Sequence, residues 1–339
     1  MARTPPTPAS PAAANPGAGA PARRPRVQMA DIARLAGVSV STVSRALAGS
    51  PLINAETRER IGELARSLDY SINAGAQALR LKQVRTVSVV VPYDPQTRQH
   101  LSDPFFLSLI GGIADALTER GHDMLLSRVD AGRLDLAAQA WRNGRALGVV
   151  LIGQWHHHDQ LNAMAVQGLP FVVWGAQLPG QLYASVGSDN REGGRLATAH
   201  LLAGGARRVA FLGDPDLPEF GQRHQGYLLA HEAAGVAVDR KLTRPVPLTS
   251  DAIEDAVTQL CRSRQPLDAV FAASDLMAMT AISALRRLGR RVPEGGRVVG
   301  CDDIALAAYF HPPLSTVRQP VDQAGQALVG SLLSVLDGA

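Results

Sequence analysis

The chain has 339 residues, 46% hydrophobic and 19% charged, the balance of an ordinary soluble protein long enough for two or three domains. Its formal charge of +4 is unevenly placed: residues 1–85 carry 12 Lys and Arg against 5 Asp and Glu, and residues 86–339 carry 22 against 25. A basic head on a slightly acidic body points to a polyanionic partner for the head alone, and the sequence offers neither an apolar run long enough to span a bilayer nor the apolar core of a secretory signal.

Residues 1–26 are mostly Pro, Ala and Gly and end in Arg23-Arg24-Pro25-Arg26, a composition that buries too little apolar surface to order itself. In residues 28–49, QMADIARLAGVSVSTVSRALAG, the residues Ile32, Ala33, Leu35 and Ala36 sit at helical spacing. Gly37-Val38-Ser39 breaks the run, and Val43, Ala46 and Leu47 resume it. Two short amphipathic helices joined by a tight glycine turn form the helix-turn-helix pattern. Ser39 is placed to cap the second helix. With Val43, Ala46 and Leu47 inward, Val40, Ser41, Ser44 and Arg45 face outward, a small, polar and basic surface suited to a DNA major groove.

A third helix is expected from Asn54, its candidate cap, with Glu56 and Glu59 near the first turn and a stripe of Ile61, Leu64, Ala65 and Leu68. This head is expected over residues 27–72. Residues 73–81, NAGAQALRL, are good helix formers in a segment too short to hold a helix alone in water, and a linker is expected over 73–85.

From Thr86 the texture changes. TVSVVVPY is a β-branched run typical of a strand buried on both faces. Apolar runs at 123–127, 147–152, 170–174, 208–213, 268–273 and 297–300 alternate with helical stretches at 104–120, 131–142, 191–204, 221–234, 250–263 and 275–289. Such alternation predicts an α/β body of parallel, doubly wound sheets in two lobes over residues 86–339, with a boundary near 185–190.

Catalytic signatures are missing. There is no GxxxxGK[ST], no GxGxxG and no HExxH, and the two cysteines, Cys261 and Cys301, lack CxxC spacing. A reducing, cytoplasmic compartment, no metal and no cofactor are expected. His156-His157-His158-Asp159 is read as a loop at a strand end, because adjacent residues converge poorly on one ion.

DIARLAGVSVSTVSRAL resembles the DNA-binding headpiece of the lactose-repressor family of bacterial transcription factors. The resemblance continues through SPLINAETRERI and SINAGAQALR. In the body it extends to SDPFF, GSDNREGGRLA, RRVAFLG, ASDLMAMTAISALRRLG, VVGCDDIALA and PPLSTVRQP, motifs shared with periplasmic sugar-binding proteins. It implies a homodimer on a near-palindromic double-stranded operator. Val40, Ser41 and Arg45 would read bases, and Met29, Ser39, Thr42, Ser44, Asn54, Thr57 and Asn73 would hold the backbone. Residues 73–81 would be a hinge helix whose Leu79 wedges into the minor groove; the alternative is a plain linker with Leu79 packed on the body. The chain would cross between lobes three times, with 86–187 and 315–330 in the first lobe and 188–314 in the second.

Ligands of α/β folds bind beyond the carboxyl ends of parallel strands, here between the lobes. The resemblance places Asp103, Phe105, Phe106, Arg223, Ser274, Asp302 and Gln319 at effector-contacting positions, with Trp174 joining them. Phe105 reads equally well as core, and Asp189 reads as a helix cap. Two positions depart from the family: Ser274 stands where Asn is common, and Gly175 where an acid usually follows. The expected function is a regulator, most simply a repressor, controlled by a small carbohydrate. Alternatives are a nucleobase or phosphorylated metabolite as effector, a sugar-transport protein, which would need an export signal and no headpiece, or an enzyme.

Overall fold

The computed structural model describes residues 28–47, 50–68, 84–94, 100–263 and 267–338. They belong to two compact bodies, one before and one after residue 81. The expected tail and residues 73–81, with Asn73 and Leu79, lie outside the described residues.

The first body holds α1 (Met29–Ala36), α2 (Val40–Leu47) and α3 (Ala55–Ser67). Gly37 ends α1 with a left-handed φ of 66°, which costs glycine nothing and turns the chain sharply into α2. The Ser39 hydroxyl accepts the Thr42 N–H at 3.1 Å, and Asn54 Oδ1 accepts the Thr57 N–H at 2.8 Å, so both expected caps are formed. Ile32, Ala33, Val43, Ala46, Ile61 and Ala65 make the core. Leu35 matched the spacing but is 54% exposed, since its position on the helix falls outside the Ile32–Ala33 stripe.

The second body contains two parallel five-stranded sheets. The first lobe runs β1 (Thr86–Tyr93), α4 (Pro104–Glu119), β2 (Asp123–Asp130), a 3₁₀ helix (Ala131–Ala138), α5 (Gln139–Arg142), β3 (Val149–Ile152), α6 (His158–Val166), β4 (Phe171–Trp174) and β5 (Ala184–Val186). The second runs α7 (Asn190–Ala203), β6 (Val209–Leu212), α8 (Pro218–Ala233), β7 (Thr243–Arg244), α9 (Ser250–Cys261), β8 (Ala269–Ala272), α10 (Asp275–Arg287), β9 (Arg297–Asp302), α11 (Ala305–Tyr309) and β10 (Ser315–Arg318). Finally α12 (Val321–Leu336) packs its Leu328, Val329 and Leu332 in the first lobe's core, alongside Leu109 and Ile113 of α4.

Strand order is β2-β1-β3-β4-β5 in one sheet and β7-β6-β8-β9-β10 in the other, the same winding repeated. Each sheet therefore reverses direction once, between β1 and β3 and between β6 and β8, and at those points its carboxyl edge opens a crevice.

Two readings need correction. Residues 315–330 do not all return to the first lobe. β10 pairs with β9 from Ser315↔Val299 to Arg318↔Asp302, so the chain crosses only between residues 318 and 321. A four-residue edge strand carries no pattern that says which sheet it joins. Residues 131–142 are not one α-helix but a 3₁₀ stretch broken at Arg133, followed by a single α turn. There Asp130 turns back to cap the Gly132 N–H at 2.8 Å.

Helices α7 and α8 approach closely through Gly194 and Gly226. A Cβ at Gly226 would lie 2.0 Å from the Arg191 carbonyl oxygen, and one at Gly194 2.0 Å from that of Arg223. Both obstacles are backbone and cannot rotate aside. Gly226→Ala is expected to destabilise the second body by about 1–3 kcal/mol, the usual cost of overpacking, read as a lower urea midpoint. An unchanged midpoint would mean that this helix pair is not tightly fixed.

Candidate functional site

On the first body, Val40, Ser41 and Arg45 are exposed along one side of α2, while Val43 and Ala46 are buried on the other. Thr42 and Ser44 are half-buried at the margins. Ser39 joins Ser41 and Thr42 in a small hydroxyl cluster, each contact 2.8 Å. Asn54 and Thr57 stand together at the start of α3, and Met29 rests half-buried against the headpiece core. The helix thus presents short side chains and one guanidinium on its exposed side.

On the second body all eight expected effector residues meet around one cavity between the lobes. Asp103 caps α4 through the Phe105 N–H at 3.0 Å, and Ser274 caps α10 through the Met277 N–H at 3.3 Å. Phe105 packs edge-on to Phe106 at 5.8 Å and tilts against Trp174 at 6.2 Å. It also touches the cores of both lobes, so its two readings, core and cleft wall, are one position.

Arg223 is 3% exposed. Its Nε donates to Asn190 Oδ1 at 2.9 Å, an Nη donates to the Ala273 carbonyl, and the guanidinium lies over the Phe220 ring, 5.4 Å from its centroid. Asp302 ends β9 with a φ of 148°, a left-handed conformation strained for any side chain, and Asp303 follows at 60°. Its carboxylate accepts from Gln319 Nε2 at 2.7 Å and from the Asp275 N–H at 3.3 Å. Burial pushes the Asp302 carboxyl up to about 7, with Arg223 pulling down and Asp275 pushing up. Burial likewise raises Asp103 and Glu219. Asp275, fully buried behind the cleft, accepts from Ile304 N–H at 2.9 Å and Thr316 Oγ1 at 2.5 Å, tying the ends of β8, β9 and β10 together.

The sequence reading missed Gln154, Trp155, Leu217, Glu219, Phe220 and Leu248, which also line the cavity. The strand-end rule would have found Gln154 and Trp155, which follow β3 directly. Gln154 is wholly buried. It spans Ala176, accepting from its N–H at 2.9 Å and donating to its carbonyl at 2.7 Å, and it donates to Tyr183 Oη at 3.0 Å. A Cβ at residue 175 would lie 2.7 Å from Gln154 Cδ, so Gly175 and Gln154 go together. Across the cleft mouth, Gln222 Nε2 donates to the Gln177 carbonyl at 2.9 Å.

The histidine run is not the plain loop expected. His158 opens α6, and its Nδ1 lies 3.1 Å from Tyr183 Oη. Asp189 caps α7, accepting the Glu192 N–H at 2.9 Å. Among the described residues no group of three or more His, Cys, Asp or Glu is placed to hold a metal ion, and no helix is long and apolar enough to cross a membrane.

Comparison with known proteins matches residues 28–73 to the bacterial regulatory proteins of the lacI family and residues 198–339 to the periplasmic binding protein-like domain. The chain is 35% identical to the HTH-type transcriptional regulator CelR of Thermobifida fusca, over 93% of each chain. It is 30% identical to the regulator AscG of Escherichia coli K12, over 91% of this chain and 92% of that one. A solved CelR–cellobiose complex superposes with a TM-score of 0.68 at 32% identity, covering 92% of this chain and 94% of that one. A lac repressor dimer bound to operator and the anti-inducer ONPF superposes at 0.78 with 24% identity, over 93% and 94%, a likeness of fold. The protein belongs to the lacI family of bacterial regulators, and it is a DNA-binding transcriptional regulator rather than an enzyme.

Proposed function

We propose that this protein is a cytoplasmic, dimeric repressor that binds a near-palindromic operator through α2 and releases it when a small carbohydrate occupies the interlobe cleft. The observation that carries the effector reading is the make-up of that cleft. Carboxyl groups and carboxamides stand beside five aromatic rings, Phe105, Phe106, Trp155, Trp174 and Phe220. Sugars need both, acceptors for hydroxyl protons and flat apolar faces for the ring carbons. The CelR–cellobiose neighbour supports a β-linked disaccharide as a first ligand to try.

Switching follows from differential binding: a ligand shifts an equilibrium only if it prefers one conformation. The cleft walls belong to different lobes, Asp103 and Trp174 on the first, Arg223 and Asp302 on the second. A ligand touching both favours one lobe arrangement. In the hinge-helix reading, the 73–81 segments of two subunits order together on DNA with Asn73 and Leu79, and a change in lobe arrangement would separate them. Coupling of about 1–3 kcal/mol is typical, a shift of roughly 5- to 150-fold in operator affinity.

In the headpiece, Arg45→Ala is expected to cost about 1–3 kcal/mol on operator DNA and much less on random DNA, in parallel titrations at one salt concentration. Equal losses on both would reduce Arg45 to a phosphate contact.

In the cleft, Asp302 ionises near 3.8 in the unfolded chain and near 7 in the fold, so the native state holds the extra proton between them. Stability from this group is present at low pH and is lost as pH rises from about 4 to about 7. Asp302→Asn removes that dependence. The variant is expected to lose less stability than the parent between pH 5 and pH 8, by urea midpoint, and to bind operator normally while no longer responding to sugar. A variant that still responds at parental sugar concentrations would place the effector elsewhere.

A further inference from the structure

We propose that the cleft accepts an uncharged, hydroxyl-bearing ligand and rejects phosphorylated or carboxylate-bearing counterparts; this deepens, and rests on, the sugar-effector reading above. Two kinds of group bind anions in an α/β cleft: basic side chains, and the N-termini of helices that follow the strands. Here both are partly occupied by the protein's own groups, and carboxyls outnumber the one cation in the lining.

The lining holds three carboxyls, Asp103, Glu219 and Asp302, and one cation, Arg223. Two of that cation's five N–H donors are already bonded within the protein. Its Nε goes to Asn190, an Nη to the Ala273 carbonyl, and one face to Phe220, within 3% exposure. It also supplies the attraction that offsets the burial of Asp302 and of Glu219.

Three helices begin from cleft-lining residues; two are capped there by a side chain, and the third carries a carboxyl in its first turn. At α4, Asp103 Oδ1 takes the Phe105 N–H. At α10, Ser274 Oγ takes the Met277 N–H, and Asp302 Oδ2 takes the Asp275 N–H. At α8, Pro218 removes one donor and Glu219 puts a carboxyl in the first turn. An entering phosphate would have to displace these contacts or lie among the carboxyls, in a site where burial weakens screening. A hydroxyl meets no such penalty, because it donates to the same oxygens that, once ionised, repel an anion, as those of Asp302 are at pH 8, above the value near 7 at which it loses its proton.

The test is isothermal titration of the full-length protein with matched pairs: cellobiose and cellobiose 6′-phosphate, glucose and glucose 6-phosphate, glucose and glucuronate. The neutral member of a binding pair should bind at least about 100-fold more tightly than its anionic partner, the scale of like-charge juxtaposition in a buried site. Glu219→Gln and Asp103→Asn, each still able to accept hydrogen bonds, should narrow that ratio by raising the affinity of the anionic member. An anionic member binding as tightly as its neutral parent would overturn the proposal, and so would a ratio unmoved by both variants. Binding by neither member of any pair would instead overturn the sugar reading itself, and this inference with it.

Discussion

A single buried guanidinium governs the second lobe. Arg223 sits almost wholly out of water, where an unpaired charge is costly and a paired one must have its donors satisfied. Its hydrogen-bond partners come from two separate stretches: Asn190 opens α7 and Ala273 follows β8, and its charge draws down the buried Asp302 at the end of β9. Bonding one side chain thus ties the start of α7 to the end of β8 at the cleft. The glycine contact between α7 and α8 serves the same end, because it brings the start of α7 within reach of Arg223. Strain at Asp302 and Asp303 is held in place by this network and by Asp275 beneath it.

The first lobe answers with a neutral network and aromatic rings. Gln154 is buried there as Arg223 is opposite, and its carboxamide fixes the 176–183 segment without charge. The cleft therefore has one wall built around a buried cation and one built around a neutral carboxamide, aromatic rings and Asp103. Phe105 touches both, and the Gln222–Gln177 bond closes the mouth. A ligand that fits both walls at once ties the lobes together, and an arrangement of lobes is what a regulator of this family can transmit to its DNA-binding body.

Much of this was legible in the sequence, for physical reasons that can be named. The headpiece announces itself because Ile32, Val43 and Ile61 repeat at helical spacing around a glycine turn, and Ser39 and Asn54 are cap residues in cap positions. The parallel strands are read from β-branched runs, and strand ends locate the cleft. Less legible was anything set by long-range geometry. Nothing local in STVR says that residues 315–318 lie beside β9, and the break at Arg133 depends on the Asp130 cap. Arg223 and Asp302 stood out as ionisable residues at strand ends. Gln154 did not, since a glutamine after a strand carries no signal until Gly175, 21 positions on, is seen to make room for it.

The central claim is that one ligand bridges the carboxyl edges of both sheets. Amide hydrogen exchange of the full-length protein, with and without saturating cellobiose, tests it directly. The account requires slower exchange on both walls together, at residues 153–155 and 174–177 of the first lobe and at 217–223 and 302–304 of the second, with the amino edges of the sheets unchanged. Protection confined to one lobe, or appearing away from the cleft, would contradict it.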